Sequence, residues 1–178
     1  FYYMTDDSLS GDESDSASID IADFSEDTYG FTFGGPIIKD KLFFFANYEK
    51  FETNVPANAQ PLSAISGVTQ ADIDEVTRIL NEEYGFDPGL FATTDTDEDE
   101  KRLLKIDWSL NDDHRALASY QYAKTDVLFD DFPTAAVLNS NRYNINQEMT
   151  AYSVQLFSNW TDQLSTELKI GTKEVIRR

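Results

Sequence analysis

The side chains best able to do chemistry in this chain are its carboxylates. There are 33 acidic residues against 14 basic ones, a formal net charge of -19. The densest run is Asp95, Asp97, Glu98, Asp99 and Glu100. Hard cations take carboxylate oxygens, so Asp95, Asp97 and Asp99 are candidate Ca²⁺ ligands by residue type. Their spacing matches no EF-hand loop, since no glycine sits at the turn position, and the plain alternative is a solvated loop end. A glycosidase would need two of these acids. No motif nominates a pair, and chance pairs come easily at this density, so no catalytic residue is assigned. His114 is the single histidine. It falls in an expected turn, without partners for a metal site or a general base. There is no cysteine, hence no disulfide and no thiolate metal site. No cofactor is expected.

The same charge balance excludes partners. Nucleic-acid backbones need Lys and Arg, and no basic face exists to hold the chain on anionic lipid. No run of about eighteen apolar residues is present, so no helix is expected to cross a membrane. What the 178 residues offer instead is alternation.

Three hairpins can be read. In the first, a strand from Tyr29 to Gly35 puts Tyr29, Phe31 and Phe33 on one face. Gly34-Gly35-Pro36 and Lys39-Asp40-Lys41 supply turn chemistry, and a second strand runs from Leu42 to Phe51. Its register turns Leu42, Phe44, Ala46 and Tyr48 outward, and Asn47 and Glu49 to the other side. In the second hairpin, Leu104, Ile106, Trp108 and Leu110 share a face and Lys105, Asp107 and Ser109 oppose them. Asn111 to His114 turns the chain, and Ala116, Ala118, Tyr120 and Tyr122 return. Leu117 breaks the pattern by falling on the polar side. In the third, Tyr152, Val154, Leu156 and Trp160 precede a turn at Thr161–Leu164, and Thr166, Leu168, Ile170 and Thr172 follow it. Phe1 to Met4 reads as the end of a further strand, giving about seven.

Connections alternate long and short. The long ones are about 5–28, 52–100 and 125–146; the short ones are about 37–41, 111–114 and 161–164. One helix is expected inside 52–100. Thr69 serves as its N-cap, with Asp72 three residues on as in a capping box. Ile73, Val76, Ile79, Leu80 and Tyr84 recur at helical spacing, and Gly85 is the stop. Short turns on one side, long loops on the other and strands near ten residues fit an outer-membrane barrel. The aromatics sort the same way: Phe33, Phe43, Phe44, Trp108 and Trp160 lie near the short turns and Tyr29, Tyr48, Tyr122 and Tyr152 toward the long loops, as two membrane-interface girdles would place them, with Phe33, Phe44, Trp108 and Trp160 the interface candidates. Asn47 and Glu49 would then face the lumen. The fold class expected is all-β, an antiparallel meander of about seven long strands within a large transmembrane β-barrel, with one short helix in an extracellular loop. The competing reading is a soluble secreted or surface β-sandwich binding module, where the alternation feeds a core. It would need a second sheet over Leu104, Ile106, Trp108 and Leu110.

The block from Phe33-Gly34-Gly35-Pro36-Ile37-Ile38-Lys39-Asp40-Lys41-Leu42-Phe43-Phe44-Phe45 to Asn47-Tyr48-Glu49 resembles the start of the barrel in TonB-dependent outer-membrane receptors, Oar-like branch. Tyr84 to Gly89 is similar to that branch's first large loop. Lys105-Ile106-Asp107-Trp108 with Asn111-Asp112-Asp113-His114-Arg115 resembles its next hairpin, and Phe1-Tyr2-Tyr3-Met4 the strand after the plug. The likeness covers nearly the whole chain. It implies a multi-pass barrel in the bacterial outer membrane, of the 22-stranded kind with a plugged lumen. Residues 1–178 would be part of that barrel, with the plug domain and the remaining strands elsewhere in a longer chain. Implied partners are outer-membrane lipid, the plug of the same chain, TonB and an unknown solute taken up by energy coupling, with no covalent chemistry. In a strand of such a barrel, the glycosylation-like Asn159-Trp160-Thr161 carries no meaning.

Overall fold

The computed structural model describes residues 1–6, 13–14, 17–18, 24–56, 65, 67–91, 94–129 and 136–178. Its elements in order are β1 (Tyr2–Asp6), β2 (Glu13–Ser14), β3 (Ala17–Ser18), β4 (Ser25–Ile38), β5 (Leu42–Pro56), α1 (Gln70–Tyr84), β6 (Thr94–Ser109), β7 (His114–Phe129), a 3₁₀ turn (Asn139–Asn141), β8 (Tyr143–Thr161) and β9 (Leu164–Arg177). Seven strands form one antiparallel sheet in the order β1-β4-β5-β6-β7-β8-β9, and β2 pairs with β3. This is the expected meander of long strands with one short helix.

The strands run further than the alternation showed. β5 reaches Pro56 and β6 begins at Thr94, so the insertion is 57–93 and not 52–100. β7 reaches Phe129 and β8 begins at Tyr143, so the next connection is 130–142 and not 125–146. β1 and β4 narrow the first to 7–24. The acid run from Asp95 to Glu100 therefore lies within β6, paired to β5 from Val55 to Lys50. The start of β6 is polar on both faces, and a strand wet on both faces carries no period-2 signal; the end of β7, Val127-Leu128-Phe129, is apolar on both and carries none either. Pro61 and Pro133, expected within the long loops, lie outside the described residues.

Gly34-Gly35-Pro36 belongs to β4 rather than to the turn, opposite Phe45, Phe44 and Phe43, with a bulge between Pro36 and Ile38. Proline has no N–H to give a ladder, and a bulge is where that loss is tolerated. The turn itself is Lys39 to Lys41. Asp40 takes the left-handed conformation (φ 58°) and the Lys41 N–H bonds to the Ile38 carbonyl at 3.0 Å. Short polar Asp is among the few non-glycine residues that adopt it readily.

The helix forms where its caps require. The Asp72 N–H donates to Thr69 Oγ1 at 3.3 Å and the Thr69 N–H donates to Asp72 Oδ2 at 2.8 Å. At the other end the Gly85 and Phe86 N–H groups bond to the Asn81 and Leu80 carbonyls. Thr69→Ala should cost the helix about 1 kcal/mol, seen as faster hydrogen exchange in its first turn. The Thr69 hydroxyl, then its backbone N–H, hold the Asp72 carboxyl below its ordinary value of 3.8. A depressed folded value means the box is fully formed above the unfolded value and weakens as pH falls through the folded one.

Packing is thin for a soluble domain. Among the described residues Val137 and Pro88 are the fully buried apolar side chains. Tyr152 is 54 % exposed, Val154 56 % and Ile170 68 %, although all three lie mid-strand in a regular ladder. No second sheet covers them among the described residues, as a sandwich requires. Among the described residues no helix is long and apolar enough to cross a membrane.

Candidate functional site

The register sorts the sheet into two faces. On the first, cross-strand rows run Leu42–Trp108–Ala116–Leu156–Leu168, then Phe44–Ile106–Ala118–Val154–Ile170, then Phe33–Ala46–Leu104–Tyr120–Tyr152. The next row, Phe31–Tyr48–Arg102–Tyr122, ends the apolar zone. Phe31 stacks on Tyr48 at 5.7 Å, and the Arg102 guanidinium lies over the Tyr122 ring at 5.2 Å. One step further the row is Lys50–Glu100–Lys124–Glu148, and beyond it Asp27–Glu52–Glu98–Asp126. Apolar gives way to charged along one line crossing β5 to β8. From Tyr122 to His114 the apolar stretch is about 27 Å of strand at ~3.4 Å per residue. Tilted by about 40°, it matches the scale of the ~25 Å band of a membrane barrel.

The four aromatics expected at a membrane interface all lie on this face. Phe33 and Phe44 meet edge to face at 5.2 Å. Trp108 pairs with Leu42 beside the first short turn. The Trp160 indole N–H donates to Thr166 Oγ1 at 2.9 Å, and its ring meets His114 at 5.1 Å. His114 thus serves as a packing partner of an aromatic ring.

The opposite face is polar, and it holds Asn47 and Glu49. Asn47 lies opposite Leu103, with its amide 3.5 Å from Thr32 Oγ1. Glu49 joins three strands: the Tyr2 hydroxyl donates to Oε2 at 2.6 Å, and Lys101 Nζ lies 3.2 Å from Oε1. Gly30 makes room for this. A Cβ there would meet the Tyr48 carbonyl oxygen at 2.5 Å and the Tyr2 ring at 2.6 Å. Gly30→Ala should displace Tyr2 from Glu49 and cost about 1–3 kcal/mol, as overpacking does. The check is the urea midpoint of the full-length protein, with exchange of the β1 amides.

The Ca²⁺ candidates do not assemble. Asp95, Asp97 and Asp99 occupy alternate positions of β6, which sets them about 6.8 Å apart and beyond sharing one ion at 2.3–2.6 Å. Asp95 pairs with Arg142, and Asp99 accepts from the Thr125 hydroxyl. Among the described residues no group of three or more His, Cys, Asp or Glu could hold a metal.

Three features escaped the sequence. The first is Arg142, whose side chain is 5 % exposed. It binds Asp95, donates to the Thr94 carbonyl at 2.9 Å and to Asn139 Oδ1 at 3.2 Å. Burial lowers its pKa from the usual guanidinium value. It belongs to a dock between two long loops, in which the Asn139 N–H bonds to Leu90 and the Ser140 N–H to Pro88. Gly89 (φ 71°) sits there with its would-be Cβ 2.8 Å from Asn139. Nothing in the local pattern links residue 95 to residue 142. The second is the use of Phe43 and Phe45: the outward register of Leu42 and Phe44 already set them beside Asn47 on the polar face, but gave them no role there. The third is an open concavity of about 500 Å³ on that face, lined by Phe43, Phe45, Lys105, Arg115 and Lys169 among others. The alternation had already put Lys105 and Arg115 on the polar side, without a role.

Neither the curated proteins nor the solved structures contain a match to this chain. A family model described as an outer membrane beta barrel domain does match, over residues 1–71, the stretch that carries β1, β4 and β5. With the two-faced sheet, that match supports an outer-membrane β-barrel protein.

Proposed function

We propose that the chain is part of a TonB-dependent receptor of the Oar-like branch, which takes up a scarce solute across the outer membrane. The observation that carries this reading is the coincidence of two stretches. The block Phe33 to Glu49, which resembles the barrel start of those receptors, falls inside the segment matched by the outer-membrane barrel family. That block forms the β4–β5 hairpin, whose apolar side belongs to the uncovered face.

In this reading the apolar face meets outer-membrane lipid, and further strands of a longer chain pair with the sheet edges β1 and β9. A plug from the same chain fills the lumen, and TonB supplies the energy. Glu49 and Asn47 face the lumen. Binding and gating need no bond made or broken, so no residue is given a catalytic role and no nucleic acid is a partner. A sandwich module has the uncovered apolar rows against it, since water would have to wet them.

The test uses the full-length protein in its own cell. Its location is read by fractionation and surface proteolysis, and growth under solute limitation is compared with TonB intact and disrupted. The expected result is an outer-membrane protein whose deletion and whose uncoupling from TonB give the same growth defect. A protein found soluble in the periplasm, or a phenotype indifferent to TonB, would overturn the reading.

A further inference from the structure

The chain is strongly acidic, yet its cations are not spread evenly. On the polar face, Lys105, Arg115, Lys169 and Lys173 all fall within the depth spanned by the apolar zone on the other side. Acids at that depth are fewer: Asp107 and Glu167. One of the four cations is taken: Arg115 clasps Asp107 through two nitrogens, one of them Nε at 2.7 Å. Lys101, one row beyond the zone, faces Glu49. Glu167 accepts from the Gln155 amide at 3.2 Å. Lys105 and Lys169 are in no salt bridge of the described residues. Both line the same open concavity of about 500 Å³, with Arg115 between them on β7.

The floor of this concavity is built for hydrogen bonding. Ser119 Oγ and Ser153 Oγ are 2.8 Å apart, and Gln121 and Gln155 flank them. Phe43 and Phe45 form one wall. Asp107 also lines the concavity but is engaged by Arg115, so Lys105, Lys169 and Arg115 outnumber it. Two ammonium groups in no salt bridge, facing each other across a few strands, attract an anion and repel a cation. Lys105 and Lys169 sit on β6 and β9, three strand spacings apart, or about 14 Å at ~4.8 Å per spacing. Two long flexible side chains converging from that separation leave room for a small molecule with more than one anionic group.

We propose that this concavity binds a small polyanionic solute through its phosphate or carboxylate oxygens, with Lys105 and Lys169 as the charged contacts and Arg115 held by Asp107 as a third donor. The acidic strand ends do not forbid it. Asp99 is six residues from Lys105 on β6, about 20 Å of strand, or roughly two screening lengths at physiological salt. The inference rests on the uptake reading for its purpose, because it names the class of solute. It does not depend on TonB for its test.

The experiment is equilibrium binding to the purified full-length protein in detergent, at low salt, with inorganic pyrophosphate and citrate as separate probes and spermidine as the cationic control. Binding of either anion supports the site; pyrophosphate alone or citrate alone tells phosphate from carboxylate recognition. Lys105→Gln with Lys169→Gln should weaken binding by at least about tenfold. The pair Lys105→Arg with Lys169→Arg should retain it, and Lys124→Gln, on the opposite face, should change nothing. The proposal is overturned if neither anion binds, as when other protein covers the wall, or if the double Gln variant binds like the wild type. Anion binding without any TonB-dependent phenotype would keep the site and remove the uptake reading; the converse would keep uptake and remove the site.

Discussion

Asp95→Asn should open the dock between the two long loops at a cost of about 3–5 kcal/mol, the usual result of removing one partner of a buried ion pair. The Arg142 side chain is 5 % exposed, and it also donates to the Thr94 carbonyl and the Asn139 amide oxygen, both neutral acceptors. The variant puts a neutral amide in place of the Asp95 carboxylate, and burial already disfavours the guanidinium charge. The loss should appear locally, because the dock is held by few bonds. The Asn139 and Ser140 amides, bonded to Leu90 and Pro88, should exchange about 10²–10⁴-fold faster. Exchange in the β6–β7 ladder should stay as it was. Asp95→Asn with Arg142→Met should recover much of the protection, since removing the guanidinium as well removes the cost of burying its charge beside a neutral amide. Exchange at Asn139 unchanged in the single variant would show that the pair does not hold the loops.

Ile106→Arg should destabilise the folded protein in a bilayer by about 2–4 kcal/mol, while Ser119→Arg should cost little. Ile106 lies in the middle row of the apolar face, between Phe44 and Ala118. Ser119 is one residue from Ala118 but on the other face, beside Lys105. Depth in the bilayer is nearly equal for the two sites, so the comparison isolates the face. Urea titrations of the full-length protein refolded into vesicles give the two values, and outer-membrane abundance gives the same order in cells. Equal costs would mean that the apolar rows do not face lipid.

Much of this arrangement was legible in the sequence. Alternation gave the inward and outward sets for β5 to β9, since a period of two fixes the face of each residue once one is placed. The helix was readable down to its cap because Thr69, Asp72 and Gly85 interact within a few residues. The misses were of two kinds. Gly34-Gly35-Pro36 has turn chemistry but serves a bulge, and only the register with Phe43 to Phe45 shows that. The Asp95–Arg142 pair and the Lys105–Lys169 concavity depend on contacts across two or three strands or between loops. Such contacts leave no local trace. The acids of β6 looked like a loop because strand ends in water have no apolar side to betray them.

The meander has a consequence for how the sheet comes together. Every neighbour pair in it is also a sequence neighbour among the long strands, so each can zip from a turn outward, with low contact order. The steps are not equally easy. β6–β7 and β8–β9 close over tight turns, whereas β5 and β6 must meet across the insertion 57–93. Ring closure over roughly 40 residues costs about 2 kcal/mol more than over three or four. Helix α1 and the dock at Pro88 take up part of that slack by fixing segments of the insertion against it. Assembly should therefore divide at this seam, with the β4–β5 hairpin as one nucleus and β6 to β9 as another. Their joining would be the slow event, and shortening the insertion would speed it.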